Sequence, residues 1–175
     1  MTYKFSGTAQ DSMNAFMNNM YTSNTGSPNA DLAFRDALIC LVGLHDRMAE
    51  TGLTNNDVLQ QFREESCAEL VKFEKKLRAY SGITLFMAEG ANEDELYELC
   101  IRRSIIQIFL DDYTETPVAE FVDLEDINDL DIELRRVGLE QGPIPEEFIP
   151  NGLTESHWWW HYPEKSGAAL PGPQS

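Results

Sequence analysis

The chain has 175 residues, 42% of them apolar and 25% charged, which is enough to fill one domain core without metal or disulfide staples. Thirty acids against thirteen bases leave a net charge of −17. That balance repels nucleic acid phosphates and anionic lipid heads, so direct nucleic acid binding and attachment to a membrane surface are not expected.

Thr8 and Asp11 form a capping-box pattern, and Met13, Phe16, Met17, Met20 and Tyr21 follow at helical spacing. The pattern predicts a first helix over 8–21. Ser27-Pro28 predicts the start of a second helix, with a capping serine and proline at the first helical position. Leu32, Leu38, Ile39, Leu41, Val42, Leu44 and Met48 cover most of its circumference as far as Glu50, which marks it as a buried central helix. Thr54 with Asp57 opens a third, expected to run unbroken to Tyr80 and to stop at Gly82. Its outer side carries the cationic cluster Lys72, Lys75, Lys76 and Arg78. Ile83 to Met87 is apolar and of strand length, and reads as one short edge strand or a buried loop. Asn92 with Glu95 opens a fourth helix that runs to Tyr113 and is nearly all apolar in its second half. Arg102 and Arg103 interrupt it, and a salt bridge to a neighbouring glutamate is expected there.

Residues 111–147 hold thirteen acids against Arg135 and Arg136, and so carry eleven of the seventeen net negative charges. Leu124, Ile127, Leu130, Leu134 and Val137 still recur every three or four positions. A fifth, amphipathic helix with an anionic outer face follows from that spacing, the face centred on Asp123, Asp126, Asp129 and Glu133. Six of the eight prolines lie beyond Gly142. Proline lacks an N–H and fixes φ, so residues 142–163 are expected to form an extended arm, and 164–175 a flexible tail. The expected fold is therefore all-α: a four- to five-helix bundle over residues 1–141, an extended Pro/Trp-rich arm, and at most one short strand.

All three tryptophans sit in the arm as Trp158-Trp159-Trp160, followed by Tyr162. Each large aromatic ring buries roughly 150–250 Å², so these rings must pack on the protein's own helices or on a partner. His157 and His161 would share a face of a helix and could hold a metal. The position after the first histidine is Trp158, not the glutamate of the H-E-x-x-H motif. The acids from Asp123 to Asp131 lack the glycine of a calcium loop, with Ile127 where the chain should turn, and read as helix. Cys40, Cys67 and Cys100 are odd in number and far apart, with no C-x-x-C, which fits a reducing cytoplasmic setting without a zinc knuckle. The N-terminal stretch has one lysine and no long apolar run, so no signal peptide is expected. Nucleophile-elbow, phosphate-loop and dinucleotide fingerprints do not occur, and no cofactor is indicated.

These features point to a non-catalytic interaction protein of inhibitor, immunity or assembly-chaperone type. Its acids would meet a basic protein surface, with mimicry of a polynucleotide as a sharper variant. Trp158, Trp159, Trp160 and Tyr162 would add buried aromatic contacts. The layout is also similar to that of small phage head-to-tail adaptors, in which a short helical bundle precedes an aromatic arm. That likeness implies a structural subunit of a homo-oligomer whose arm docks on a neighbour. A metal-dependent enzyme using His157 and His161 is a third reading.

Overall fold

The computed structural model describes residues 2–52, 55–92 and 94–164, and the regular elements in them are all helical. α1 (Ala9–Ser23) begins on a complete capping box. The Thr8 hydroxyl accepts the Asp11 N–H while the Asp11 carboxylate accepts the Thr8 N–H, so two orphan donors are satisfied reciprocally. The same bonds hold the Asp11 carboxyl below its usual range. α2 (Ala30–Thr51) starts later than the Ser27-Pro28 signal indicates. Pro28 lies instead in a turn closed by the Ala30 N–H on the Ser27 carbonyl. α1 folds back along α2, and Phe16, Met20, Ala37, Leu38 and Val42 are fully buried between them and the rest of the core.

The single helix expected to end at Tyr80 is two helices. α3 (Asn56–Leu70) is capped by Asn55, whose side chain accepts the Asp57 N–H. The proposed cap at Thr54 lies outside the described residues. A 3₁₀ turn at Val71–Phe73 then redirects the chain into α4 (Glu74–Glu89). Phe73 in the turn packs against Phe34 with ring centroids 4.8 Å apart.

α4 runs through Gly82, and the expected strand or loop at Ile83–Met87 is helix. The reason is the neighbouring element. Ser81 donates to Asp126 at 3.1 Å, and a Cβ on Gly82 would lie 3.1 Å from the same carboxylate. Gly82 is there for close approach, not to end a helix.

α5 (Leu96–Asp112) is the central helix, buried from Leu96 through Phe109 on nearly every side. A one-turn α6 (Pro117–Glu120) leads into α7 (Leu124–Gln141), which is capped by the Asp123 carboxylate on the Glu125 and Asp126 N–H groups. α7 lies alongside α4. Arg78 stacks on Phe121 at 4.7 Å, Ser81 bonds Asp126, Arg136 donates to the Ala88 carbonyl at 3.0 Å, and Gln141 donates to the Asn92 carbonyl. Residue numbers rise together along both helices, so the two run parallel. Among the described residues, no helix is long and apolar enough to cross a membrane.

Among the described residues, Arg102 and Arg103 do not form the glutamate salt bridges expected of them. Arg102 donates to Thr84 and stacks on Tyr80. Arg103 is buried, pairs with Asp131 of α7 at 2.7 and 3.3 Å, and donates to Gln107 at 3.1 Å. Removing one partner of such a pair leaves a buried charge uncompensated. Asp131→Ala should therefore cost about 3 kcal/mol or more in urea unfolding, and the double change Arg103→Met/Asp131→Met should cost less than Asp131→Ala alone.

Candidate interaction surface

The arm leaves α7 at Gly142, a residue at φ +82° that terminates the helix. It crosses α2 at a buried carboxylate. Asp46 accepts the Asn151 backbone N–H at 2.7 Å and its side-chain amide at 3.2 Å, while Arg47 neutralises the other oxygen. Gly152 then passes against α2 so closely that a Cβ would lie 2.4 Å from the His45 carbonyl oxygen. His45 itself is satisfied by Asp112, 2.7 Å away, and Arg63 lies 3.4 Å from the same carboxylate.

The tryptophans are not extended. They occupy a 3₁₀ turn, Trp158–His161. Successive side chains on an extended strand point to opposite sides, whereas about 120° per residue in a 3₁₀ turn lets two neighbours reach one target. That target is Ser104 of α5. Trp159 Nε1 donates to its hydroxyl at 3.1 Å, Trp160 Nε1 donates at 2.8 Å, and His157 Nδ1 lies 3.0 Å away. A serine hydroxyl has two lone pairs and one proton. The indoles take the lone pairs, so the proton goes to His157 Nδ1, and the imidazole is the neutral tautomer protonated at Nε2. Burial pushes the His157 pKa down to about 4, helped by His45 and Arg103.

Both Trp159 and Trp160 are 1% exposed. Arg103 stacks on Trp159 at 4.3 Å, and Tyr97 meets Trp160 edge-on at 5.4 Å. Trp158 is half-buried, covered by Arg135 at 4.2 Å and by Tyr162 edge-on at 5.7 Å. Tyr162 is buried against Gly138 of α7, where a Cβ would lie 3.1 Å from its ring. The arm thus packs in cis. His161 is exposed, so the two histidines stand in different surroundings, and the described residues hold no group of three or more metal-ligating side chains. Burial raises the Cys40 thiol to about 11 and pushes Cys100 higher still, which leaves both poor nucleophiles at neutral pH.

The predicted anionic centre divides in two. Asp126 and Glu133 are half-buried, Asp126 bonded to Ser81 of α4 and Glu133 paired with Arg136 one turn along α7 itself. Asp123 caps its helix and stays exposed. Asp129 is exposed, as are Glu120, Glu125 and Glu140. Leu124, assigned to the buried stripe by its spacing, is 63% exposed. Ile132 and Leu139 join it on the surface at 61% and 63%. Ile127, Leu130, Leu134 and Val137 form the buried stripe. At 100° per residue, Leu124, Ile132 and Leu139 fall on one side of the helix, rotated by roughly two-fifths of a turn from that stripe. The sequence carried this second stripe, and the buried one masked it. Ser104 also had a signal: a lone hydroxyl within Ile101–Leu110, a run otherwise rich in isoleucine, needs partners.

Compared with known protein families, curated proteins and solved structures, the chain matches none.

Ser104→Ala would leave two buried indole N–H groups without an acceptor, at a cost of about 2–4 kcal/mol in chemical unfolding. The same change made in a Trp159→Phe/Trp160→Phe background should cost much less. His157 adds a pH signature. Its folded pKa lies below its unfolded value, so its contribution is complete above about pH 6.5 and is lost as pH falls towards 4, on the order of 3 kcal/mol in all. His157→Asn should flatten the decline in stability measured between pH 6.5 and 5.

Proposed function

We propose that the protein acts by non-catalytic binding, its α7 outer face meeting a protein surface that is basic with an apolar centre. One observation carries the reading: Leu124, Ile132 and Leu139 stand exposed on the same helix as exposed Asp123, Glu125 and Asp129. Apolar side chains rimmed by charge mark interaction sites more often than isolated exposed leucines do. The acids supply attraction and selectivity, and the aliphatic groups supply the area that excludes water. Mimicry of a polynucleotide is the weaker variant, because a phosphate backbone offers nothing that corresponds to three aliphatic side chains.

The arm has a different part in this reading. Using Trp159 and Trp160 as anchors would require breaking both indole bonds to Ser104 and uncovering α5. The arm therefore stabilises the bundle, and Trp158 at its edge is the one indole within reach of a partner. The free thiols Cys40, Cys67 and Cys100 support a reducing, cytoplasmic setting.

Two synthetic helical peptides of equal charge test the proposal, one alternating lysine with leucine at helical spacing and one with lysine and glutamine. Fluorescence anisotropy should show tighter binding of the lysine–leucine peptide, weakening as salt is raised. Ile132→Ser should lower its affinity about 10-fold, and Glu125→Lys/Asp129→Lys should lower affinity for both peptides. Equal binding of the two peptides, with Ile132→Ser indifferent, would show that the face is only a solvated surface.

A further inference from the structure

Resting on that reading, we infer that the partner of the α7 face is a second copy of this chain, joined about a two-fold axis parallel to α4 and α7. The surface that α7 needs is basic with an apolar neighbour, and α4 beside it has that composition. Lys72, just before α4, and Lys75 and Ala79 within it lie exposed near its start. Ile83 and Phe86 follow, 52% and 76% exposed. Among the described residues, five of the eight exposed large hydrophobic side chains belong to α4 and α7.

Positive charge is scarce on a chain with thirteen bases, and four of them fall between Lys72 and Arg78. Three of the four make an ion pair within the chain. Lys76 pairs with Asp31 and lies over Phe34 and Phe73, while Arg78 pairs with Glu74 and stacks on Phe121. Lys75 makes no ion pair among the described residues, and Lys72 makes one, to Glu69.

The parallel course of the helices sorts these groups into tiers. Arg78 is level with Phe121, Ser81 with Asp126, and Ala88 with Arg136. At the lower level Lys72 and Lys75 stand on the α4 side, and Glu120, Asp123 and the exposed Leu124 on the α7 side. At the upper level Ile83 and Phe86 stand on the α4 side, and Ile132 and Leu139 on the α7 side.

A two-fold axis along the helices lays α4 of one copy on α7 of the other and keeps every level. Lysines then meet acids, and Phe86 meets Ile132 and Leu139, each contact made twice. An axis across the helices would set the apolar tier against the charged one. The contact is isologous and closes at two copies. The net charge of −17 on each copy opposes association, but beyond about 8 Å that repulsion is screened at physiological ionic strength.

Sedimentation velocity on the full chain tests the inference. The wild type should be dimeric at about 10 μM. Phe86→Glu and Ile132→Glu, both at exposed positions, should each raise the dimer dissociation constant at least about 100-fold, because each removes an apolar contact twice. Helical content by circular dichroism should stay unchanged in both. Lys75→Glu and Glu120→Lys should each weaken the dimer, and the two together should restore it, a rescue that a structural role of either residue would not produce. A wild type that stays monomeric at several hundred μM, or a Phe86→Glu variant that dimerises like wild type, overturns the inference. A monomer that still binds the lysine–leucine peptide rejects self-association alone; a monomer that ignores the peptide rejects the α7 binding face as well.

Discussion

The Ser104 hydroxyl accepts an N–H bond from each of two indoles and donates its own proton to an imidazole, which exhausts its bonding capacity. It does so inside α5, where water cannot substitute for any of the three. An unmet donor there costs more than a met one gains, so the node fixes one position for the arm and disfavours its neighbours. Asp46 and Gly152 set the approach, one by receiving the Asn151 backbone and the other by having no side chain to strike α2. Gly138 completes it by admitting Tyr162 against α7. The arm is thereby part of the core it covers.

The acidity of the chain is not one property. Asp46, Asp112, Asp126 and Asp131 each hold two elements together through an amide, an imidazole, a hydroxyl or a guanidinium. These acids organise the interior and are neutralised or bonded there. Most of the other described acids are exposed, and on α7 they share the surface with three aliphatic side chains. A helix with one stripe in the core, a second in solvent and acids between them has more apolar surface than its own bundle uses. That surplus is the physical basis for reading α7 as a binding element.

Much of the helical layout was legible. Period and caps located α1, α2, α5 and α7 to within a few residues, because each has an apolar stripe long enough to dominate its flanks. Gly82 was misleading, since a glycine that stops a helix and one that admits a neighbour look alike in sequence. Val71–Phe73 gave no local sign of a turn, and the ring that Phe73 meets there, Phe34, lies far back in the chain. The site was less legible than the fold. Asp123 and Asp129 do face solvent, but Asp126 is bonded to Ser81 across the helix pair and Glu133 is held by Arg136 on its own helix. The spacing of the tryptophans shows rings that need burial, but nothing along the chain indicates which groove receives them.

By itself the sequence determined the helical periodicity, the sign and placement of the charge, and the need to bury three indoles beyond the last long helix. Those are local properties, set by residue types and their spacing. Only the tertiary structure decided that two indoles converge on Ser104, that α4 and α7 run parallel with their tiers in step, and which acids remain in water. Each depends on residues tens of positions apart meeting at hydrogen-bond distance, and spacing along the chain does not encode which pairs will meet.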